Sequence, residues 1–275
     1  MNFPDVTNAF TVDFEDWYQG LEIPASQWDG FEDRIPRSGR KILSVLAQAG
    51  VRGTFFVLGA VAERHPELVR EIADAGHEIA THGWSHTLVY RMSPEAFRAE
   101  LKRSIQLLED LAGQRIVGHR APFFSITRQS LWALDILGEL GIRYDSSIYP
   151  VLNYRYGIED APRWPYSTLG QFPVAEFPIS TWRVLGRNLP IAGGAYFRIY
   201  PYALTRFAFR SLNRAGGAAV FYIHPWELDP THPRIRVPRR VALTHYANLK
   251  ATEGRLVRFL RDFRFAPARE VLLVD

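Results

Sequence analysis

Three carboxylates, Asp13, Glu15 and Asp16, fall within four positions of TVDFEDW (11–17), directly after a run of strand-forming residues. Farther along, HGWSH places His82 and His86 four residues apart. On a helix that spacing would put both imidazoles on one face, with Cβ atoms about 6 Å apart, near enough to share a metal ion. Two imidazoles and a carboxylate form a donor set for a divalent cation. The zinc-protease arrangement needs Glu after the first His; Gly83 stands there instead. Without cysteine, thiolate catalysis, disulfides and thiolate zinc sites are excluded, so any metal must be held by His and carboxylate. Three further groups join the candidates: Arg120 in GHRAP, Asp145 in YDSS, and His224, which ends VFYIH and is followed by Pro225, Trp226 and Glu227. Pro225 fixes the chain as it leaves the strand and would hold the imidazole in one direction. His65, His77, His119, His232 and His245 sit in turn, helix or Pro-rich contexts and are assigned no chemistry.

The elements that must position these groups follow one beat: a helical stretch, a small residue with Gly, then a short strand. Residues 41–59, 68–83, 131–147 and 204–224 read this way, with Gly50, Gly76, Gly141 and Gly216 where a helix end needs positive φ; residues 101–122 are a looser copy starting from a Ser93-Pro94 cap. Helix and strand alternating in this way imply a mostly parallel sheet wrapped by helices. No GxGxxG or GxxxxGK[ST] follows the first strand, which removes support for nucleotide-binding versions and favours a barrel. In a barrel the chemistry collects at the C-terminal strand ends, where this chain sends its carboxylates, His82, Arg120, Asp145 and His224. Strand alternation puts Asp13 and Glu15 on the face opposite Val12 and Phe14. Glu15 is then the natural ligand if the strand runs straight, and Asp16 reaches a metal only if the chain bulges or turns. Residues 235–275 read as a final helix interrupted at Gly254, then a short REVLLV strand or edge that closes the barrel.

At 275 residues and 47% hydrophobic content, the chain can bury a full core. Its 33 Lys and Arg are spread among 29 Asp and Glu, with no long basic run to suggest nucleic acid as a partner. MNFPDVTNAF lacks the basic start and apolar core of a secretory signal, and no stretch approaches a membrane span; a soluble, cytoplasmic protein without membrane insertion is expected.

Taken in order, TVDFED, HGWSH, HRAPF, YDSS and YIH resemble the motifs of the polysaccharide deacetylases, carbohydrate esterase family 4 or NodB homology domain, over about residues 8–230. VDFEDWYQ together with GGAYFRIYPYALTR (193–206) looks most like the subgroup found near bacterial exopolysaccharide and exosortase loci. The resemblance implies an α/β fold, a distorted (β/α)7 barrel forming a single domain over 1–275. It also implies a hydrolase that removes N-acetyl groups from an amino-sugar polysaccharide with one divalent metal, zinc being the first expectation. By position, Asp13 resembles the catalytic base, His82 and His86 two metal ligands, and Arg120 the arginine that holds the base. His224 resembles the general acid, and Asp145 the carboxylate that tunes it. Trp84, Phe123 and Tyr196 could form an apolar wall for a sugar ring or acetyl methyl. Two positions depart from the family pattern: Phe14 follows Asp13 where a second Asp is usual, leaving Glu15 or Asp16 as ligand, and Phe123 stands where Tyr or Trp is common. The same chemistry would serve an amidase acting on a small-molecule or non-sugar amide. A catalytically silent carbohydrate-binding relative and a metal-dependent phosphoesterase are rival readings of the same residues.

Overall fold

Gly50, Gly76, Gly141 and Gly216 take φ of +64°, +78°, +87° and +83°, the left-handed turn that ends a helix and redirects the chain into a strand. The repeated beat is therefore real in the computed structural model, which describes residues 6–153 and 155–274. The strands are β1 (Thr7–Phe14), β2 (Thr54–Val57), β3 (Glu78–Thr81), β4 (Gly118–His119), β5 (Tyr144–Asp145), β6 (Tyr166–Ser167), β7 (Ala175–Glu176), β8 (Thr181–Val184), β9 (Arg187–Pro190), β10 (Val220–Ile223) and β11 (Arg264–Ala266). The helices are α1 (Ile35–Ala49), α2 (Gly59–Arg64), α3 (Pro66–Asp74), α4 (Pro94–Ala112), α5 (Trp132–Glu139), α6 (Gly194–Ile199), α7 (Tyr202–Arg214), α8 (Arg239–Tyr246), α9 (Leu249–Asp262) and α10 (Ala268–Leu272). Ser93 caps α4 as expected, its Oγ accepting the Ala96 amide at 3.2 Å with Pro94 in the first turn.

Seven strands run parallel in the order β10-β1-β2-β3-β4-β5-β7, with β6 antiparallel at the far edge. Ala9 aligns with both Val220 and Ala266, so β10 and β11 lie on opposite edges of β1; β11 takes the part of that edge which β2 leaves free. The side of β10 away from β1 carries the bridge between Gly193 and Tyr222 and the Val220 amide's bond to Ser180 Oγ at 2.8 Å. The expected seven-stranded barrel is thus a curled parallel sheet that does not fully close. Strands buried on both faces read as continuous apolar runs, and Phe10, Val12, Phe14, Phe55 and Val57 are wholly buried. An aromatic cluster sets β10 against β1: Phe221 meets Phe10, Phe197 and Phe259 with ring centroids 5.5, 4.9 and 4.7 Å apart. Each such pair adds about 0.5–1.5 kcal/mol beyond its burial. No helix among the described residues is long and apolar enough to cross a membrane.

The tail differs from expectation. The break in its helix falls at Asn248, in left-handed conformation with φ +55°, while Gly254 lies inside α9; the edge strand is Arg264–Ala266, and the REVL residues belong to α10 (Ala268–Leu272). Asn tolerates that conformation because its short side chain can bond locally. Here its Nδ2 donates to the Arg198 carbonyl at 2.9 Å.

His77, assigned no chemistry, has a structural task. Its Nδ1 accepts the Gly53 amide at 3.1 Å, which requires an unprotonated nitrogen, and burial, followed by Arg52, pushes its pKa from 6.5 down to about 4. As pH falls, the unfolded chain takes up that proton first. Stability is therefore full above about 6.5 and drains away between 6.5 and 4. His245, pushed down to about 3 chiefly by burial, acts in the same direction. Urea midpoints are expected to fall from pH 7 to pH 4.5, and less steeply in His77→Asn; an unchanged slope would assign the acid sensitivity elsewhere.

Candidate active site

β1 stops at Phe14, and the Glu15 amide donates back to the Asp13 carbonyl at 3.1 Å, a tight turn that ends the ladder. Although the strand does not run straight on, Glu15 is the carboxylate that meets the imidazoles. Its Oε2 lies 3.6 Å from His82 Nε2 and touches His86 Nε2, and the three donor atoms all fall within 4.8 Å of one another. Asp16 is turned elsewhere, which corrects its place among the candidate ligands. Its Oδ1 accepts the Trp17 amide at 2.7 Å, and its Oδ2 accepts the amides of Arg34 and Ile35 at 2.7 and 3.1 Å. These are donors at the start of α1, where Arg34 offers no side-chain cap of its own. Burial pushes the Asp16 carboxyl up to about 7, against the pull of those amides.

His82 and His86 do not share a helix face. Residues 82–88 are loop, bent by Gly83 at φ +76° and by His86 at φ +56°. His82 Nδ1 lies 2.7 Å from the Arg120 carbonyl, which can only accept, so the proton sits on Nδ1 and the Nε2 lone pair faces Glu15. Glu15 Oε2 is buried without a hydrogen-bond partner of proper geometry. Burial raises the Glu15 pKa, but His86, His82 and His224 outweigh it and hold the carboxyl well below its ordinary value. A lone pair and a carboxylate converging in a buried space call for a cation between them, and this donor set fits a divalent metal.

Arg120 is wholly buried. Its Nη1 donates to Asp13 Oδ1 and Thr11 Oγ1, both at 2.7 Å, its Nε to the Ser146 carbonyl at 3.0 Å and its Nη2 to Ser146 Oγ at 2.9 Å. Its guanidinium carbon stands 4.2 Å from the centre of the Phe56 ring. Asp13 thus has one oxygen fixed, and the other lies 3.9 Å from His224 Nε2. In the loop after Arg120, the amides of Ala121, Phe124 and Ser125 donate to Ser147 Oγ, the Ala121 carbonyl and the Pro122 carbonyl. Among the described residues the Phe123 amide has no such partner, and φ is +52° at Phe123 and +54° at Phe124. Left-handed non-glycine residues cost about 1–3 kcal/mol each and cluster at functional sites.

His224 follows β10. Its Nε2 is 3.7 Å from Glu15 Oε1, and its side chain, 18% exposed, is the most accessible in the cluster. Its Nδ1 lies 2.8 Å from Glu227 Oε1. Burial lowers the His224 pKa, but Glu227, then Glu15 and Asp13, outweigh it and raise it to about 9. For Glu227 burial acts upward, while Arg198 and His224 bring it down to about 2.

Residues 29–144 match the family described as "Polysaccharide deacetylase", and residues 146–273 match "Domain of unknown function (DUF3473)". Residues 29–144 are thus similar to a polysaccharide deacetylase domain. The peptidoglycan-N-acetylglucosamine deacetylase of Bacillus cereus is 35% identical over 96 residues, 34% of this chain and 35% of the relative. The chitooligosaccharide deacetylase of Rhizobium leguminosarum is 35% identical over 102 residues, 37% and 45% of the two chains. The chain therefore spans less than half the length of these relatives. A crystal structure described as a "putative polysaccharide deacetylase" from Mycobacterium smegmatis shares the fold with TM-score 0.66 and 23% identity, covering 100% of this chain and 92% of the other. Beyond the deacetylase match, His224 and Glu227 come from the DUF3473 segment, and Asp13 and Glu15 precede both.

Four other expected residues stand apart from the cluster to different degrees. Asp145 does not reach His224: its Oδ1 lies 2.6 Å from His119 Nδ1 and 2.7 Å from Ser147 Oγ, deep between β4 and β5. Glu227 occupies the place expected of Asp145. The signal was the spacing His-x-x-Glu, which lets the Glu side chain reach back to the His amide at 3.0 Å. Trp84 is half-buried, with the Arg103 guanidinium 3.4 Å from its ring centre and Gly59 so near that a Cβ there would lie 2.5 Å from the indole. Phe123 packs on His86 at 4.7 Å, with Arg155 4.9 Å from its ring centre. Tyr196 is one layer out, its hydroxyl 3.3 Å from that of Tyr156.

Loss of the Asp16 bonds should cost stability and leave the donor cluster intact. Asp16→Ala is expected to lower unfolding free energy by about 1–2 kcal/mol, with Asp16→Asn milder and metal content unchanged in both. Metal loss at wild-type stability would return Asp16 to the ligand set.

Proposed function

We propose that this protein is a metal-dependent hydrolase that removes N-acetyl groups from an amino-sugar polymer. The observation that carries the reading is the convergence of Glu15, His82 and His86 within 4.8 Å, beside an arginine-held Asp13 and a glutamate-held His224. The relatives that act on peptidoglycan and chitooligosaccharide support the substrate class. The DUF3473 segment, typical of members found near exosortase loci, supports a bacterial exopolysaccharide.

Glu15, His82 and His86 would hold the ion. A bound divalent metal, zinc by chemical preference for this donor set, supplies Lewis acidity to the acetyl carbonyl and acidifies water. Asp13 Oδ2 takes the proton of the attacking water, while Arg120 keeps Oδ1 fixed and the carboxylate aimed. The Phe123 amide is the free donor for the oxyanion. His224, protonated, gives its Nε2 proton to the nitrogen as the C–N bond breaks; acetate and the free amine leave. The Glu227 carboxylate beside Nδ1 favours the protonated imidazole for that step. Phe123 offers the acetyl methyl an apolar surface beside His86.

Acetate release from N-acetylglucosamine oligomers and from a bacterial exopolysaccharide should disappear on chelation and return with added metal. His82→Ala should lose both the metal and the activity; full activity in that variant would end the metal-hydrolase reading. His224→Ala should lower kcat by about 10²–10³-fold with metal content and fold preserved. Loss of metal there would make His224 a ligand instead, and a metal-loaded wild type that releases no acetate from any polymer would point to a silent binding relative.

A further inference from the structure

His224 is held by a chain of contacts that runs through the DUF3473 segment to its far end. Glu227 Oε1 accepts from both the His224 amide, at 3.0 Å, and the imidazole, at 2.8 Å, while Oε2 accepts Arg198 Nε at 2.5 Å. With both oxygens engaged, the carboxylate cannot rotate. A carboxylate fixed in this way accepts from Nδ1–H and leaves Nε2 as the nitrogen facing the mouth. The ring plane is set separately: Trp226 stacks on the imidazole at 5.1 Å and 21°.

Arg198, on α6, is 1% exposed, and Glu227 is wholly buried. The remaining guanidinium nitrogens reach only carbonyls: Nη1 donates to those of His245 and Ala247, at 3.1 and 2.7 Å, and Nη2 to that of Thr244, at 2.5 Å. These belong to the last turn of α8 and the residue beyond it, where helix carbonyls lack internal partners and a cation is favoured. Arg255 of α9 fastens the same place from the other side, its Nη1 donating to the Arg198 carbonyl at 2.7 Å. A buried ion pair serving only the fold could end anywhere. This one ends on the imidazole whose other nitrogen stands 3.9 Å from Asp13 and 3.7 Å from Glu15.

We propose that Arg198 and Glu227 form a positioning clamp for His224, latched to the carboxyl end of α8, and that presenting this held imidazole is the task of the 146–273 segment. What His224 does once held rests on the deacetylase reading; how it is held does not.

The test uses the metal-loaded full chain and three variants: Glu227→Gln, Arg198→Lys and the double. Each single variant should lower kcat for acetate release from N-acetylglucosamine oligomers about 10²-fold, as loss of a histidine-orienting carboxylate does elsewhere. KM and metal content should stay close to wild type in Glu227→Gln, while the urea midpoint falls because the buried Arg198 loses its counter-charge. Because the two residues act as one unit, the double variant should be no more than about threefold worse than the poorer single. An activity-independent signature accompanies this: a slowly exchanging, downfield Hδ1 resonance of His224 in the wild type, lost in both single variants. The proposal is overturned if kcat survives in Glu227→Gln, if the single losses multiply in the double, or if the Hδ1 resonance persists without the clamp. If the wild type releases no acetate, the deacetylase reading falls and the resonance alone decides the clamp.

Discussion

Arg120 is a cation without access to water, and the site is arranged around making that tolerable. Removing one partner of such a buried pair typically costs about 3–5 kcal/mol, because the other charge is left uncompensated. The guanidinium binds Thr11 and Asp13 from β1 and Ser146 beyond β5, so a single group ties three strand ends together at the mouth. Its backbone works too: the Arg120 carbonyl takes the Nδ1 proton of His82 and thereby exposes Nε2 to Glu15. The proposed base and one proposed ligand are therefore oriented by opposite ends of the same residue.

The other side of the mouth comes from the second half of the chain. β10 lies beside β1, held there by the aromatic cluster around Phe221, and delivers His224 at the level where β1 delivers Asp13 and Glu15. The boundary between the two matched segments falls at residues 144–146, at β5, while the sheet and the cluster run across it. Neither segment contains the whole arrangement.

Where the local rules were obeyed, the sequence was readable. Glycine after a helix, Ser-Pro before one, and apolar runs in buried strands all correspond to the elements observed. The misreadings fall where residues defy local preference for the sake of the mouth. His86, Phe123 and Phe124 are neither glycine nor asparagine, yet all take positive φ. The His-x-x-x-His spacing therefore suggested a helix where the chain makes a strained loop. Nothing local announced that Gly59 and Arg103 would pack against Trp84.

The order and types of the ionisable residues, and the strand ends that carry them, were determined by the sequence alone, because helix ends and strand alternation are short-range properties. It narrowed the candidate ligand to Glu15 or Asp16 and could go no further. Tertiary structure separated them: α1 begins beside the turn after β1, and its unpartnered amides bind Asp16, leaving Glu15 to meet the histidines. It also replaced Asp145 with Glu227, since His119 holds Asp145 away from His224. Arg198 carried no local sign at all. Its partners lie 29 and 46–49 residues along the chain, and only the packing of α6 against the end of α8 makes a buried guanidinium necessary there.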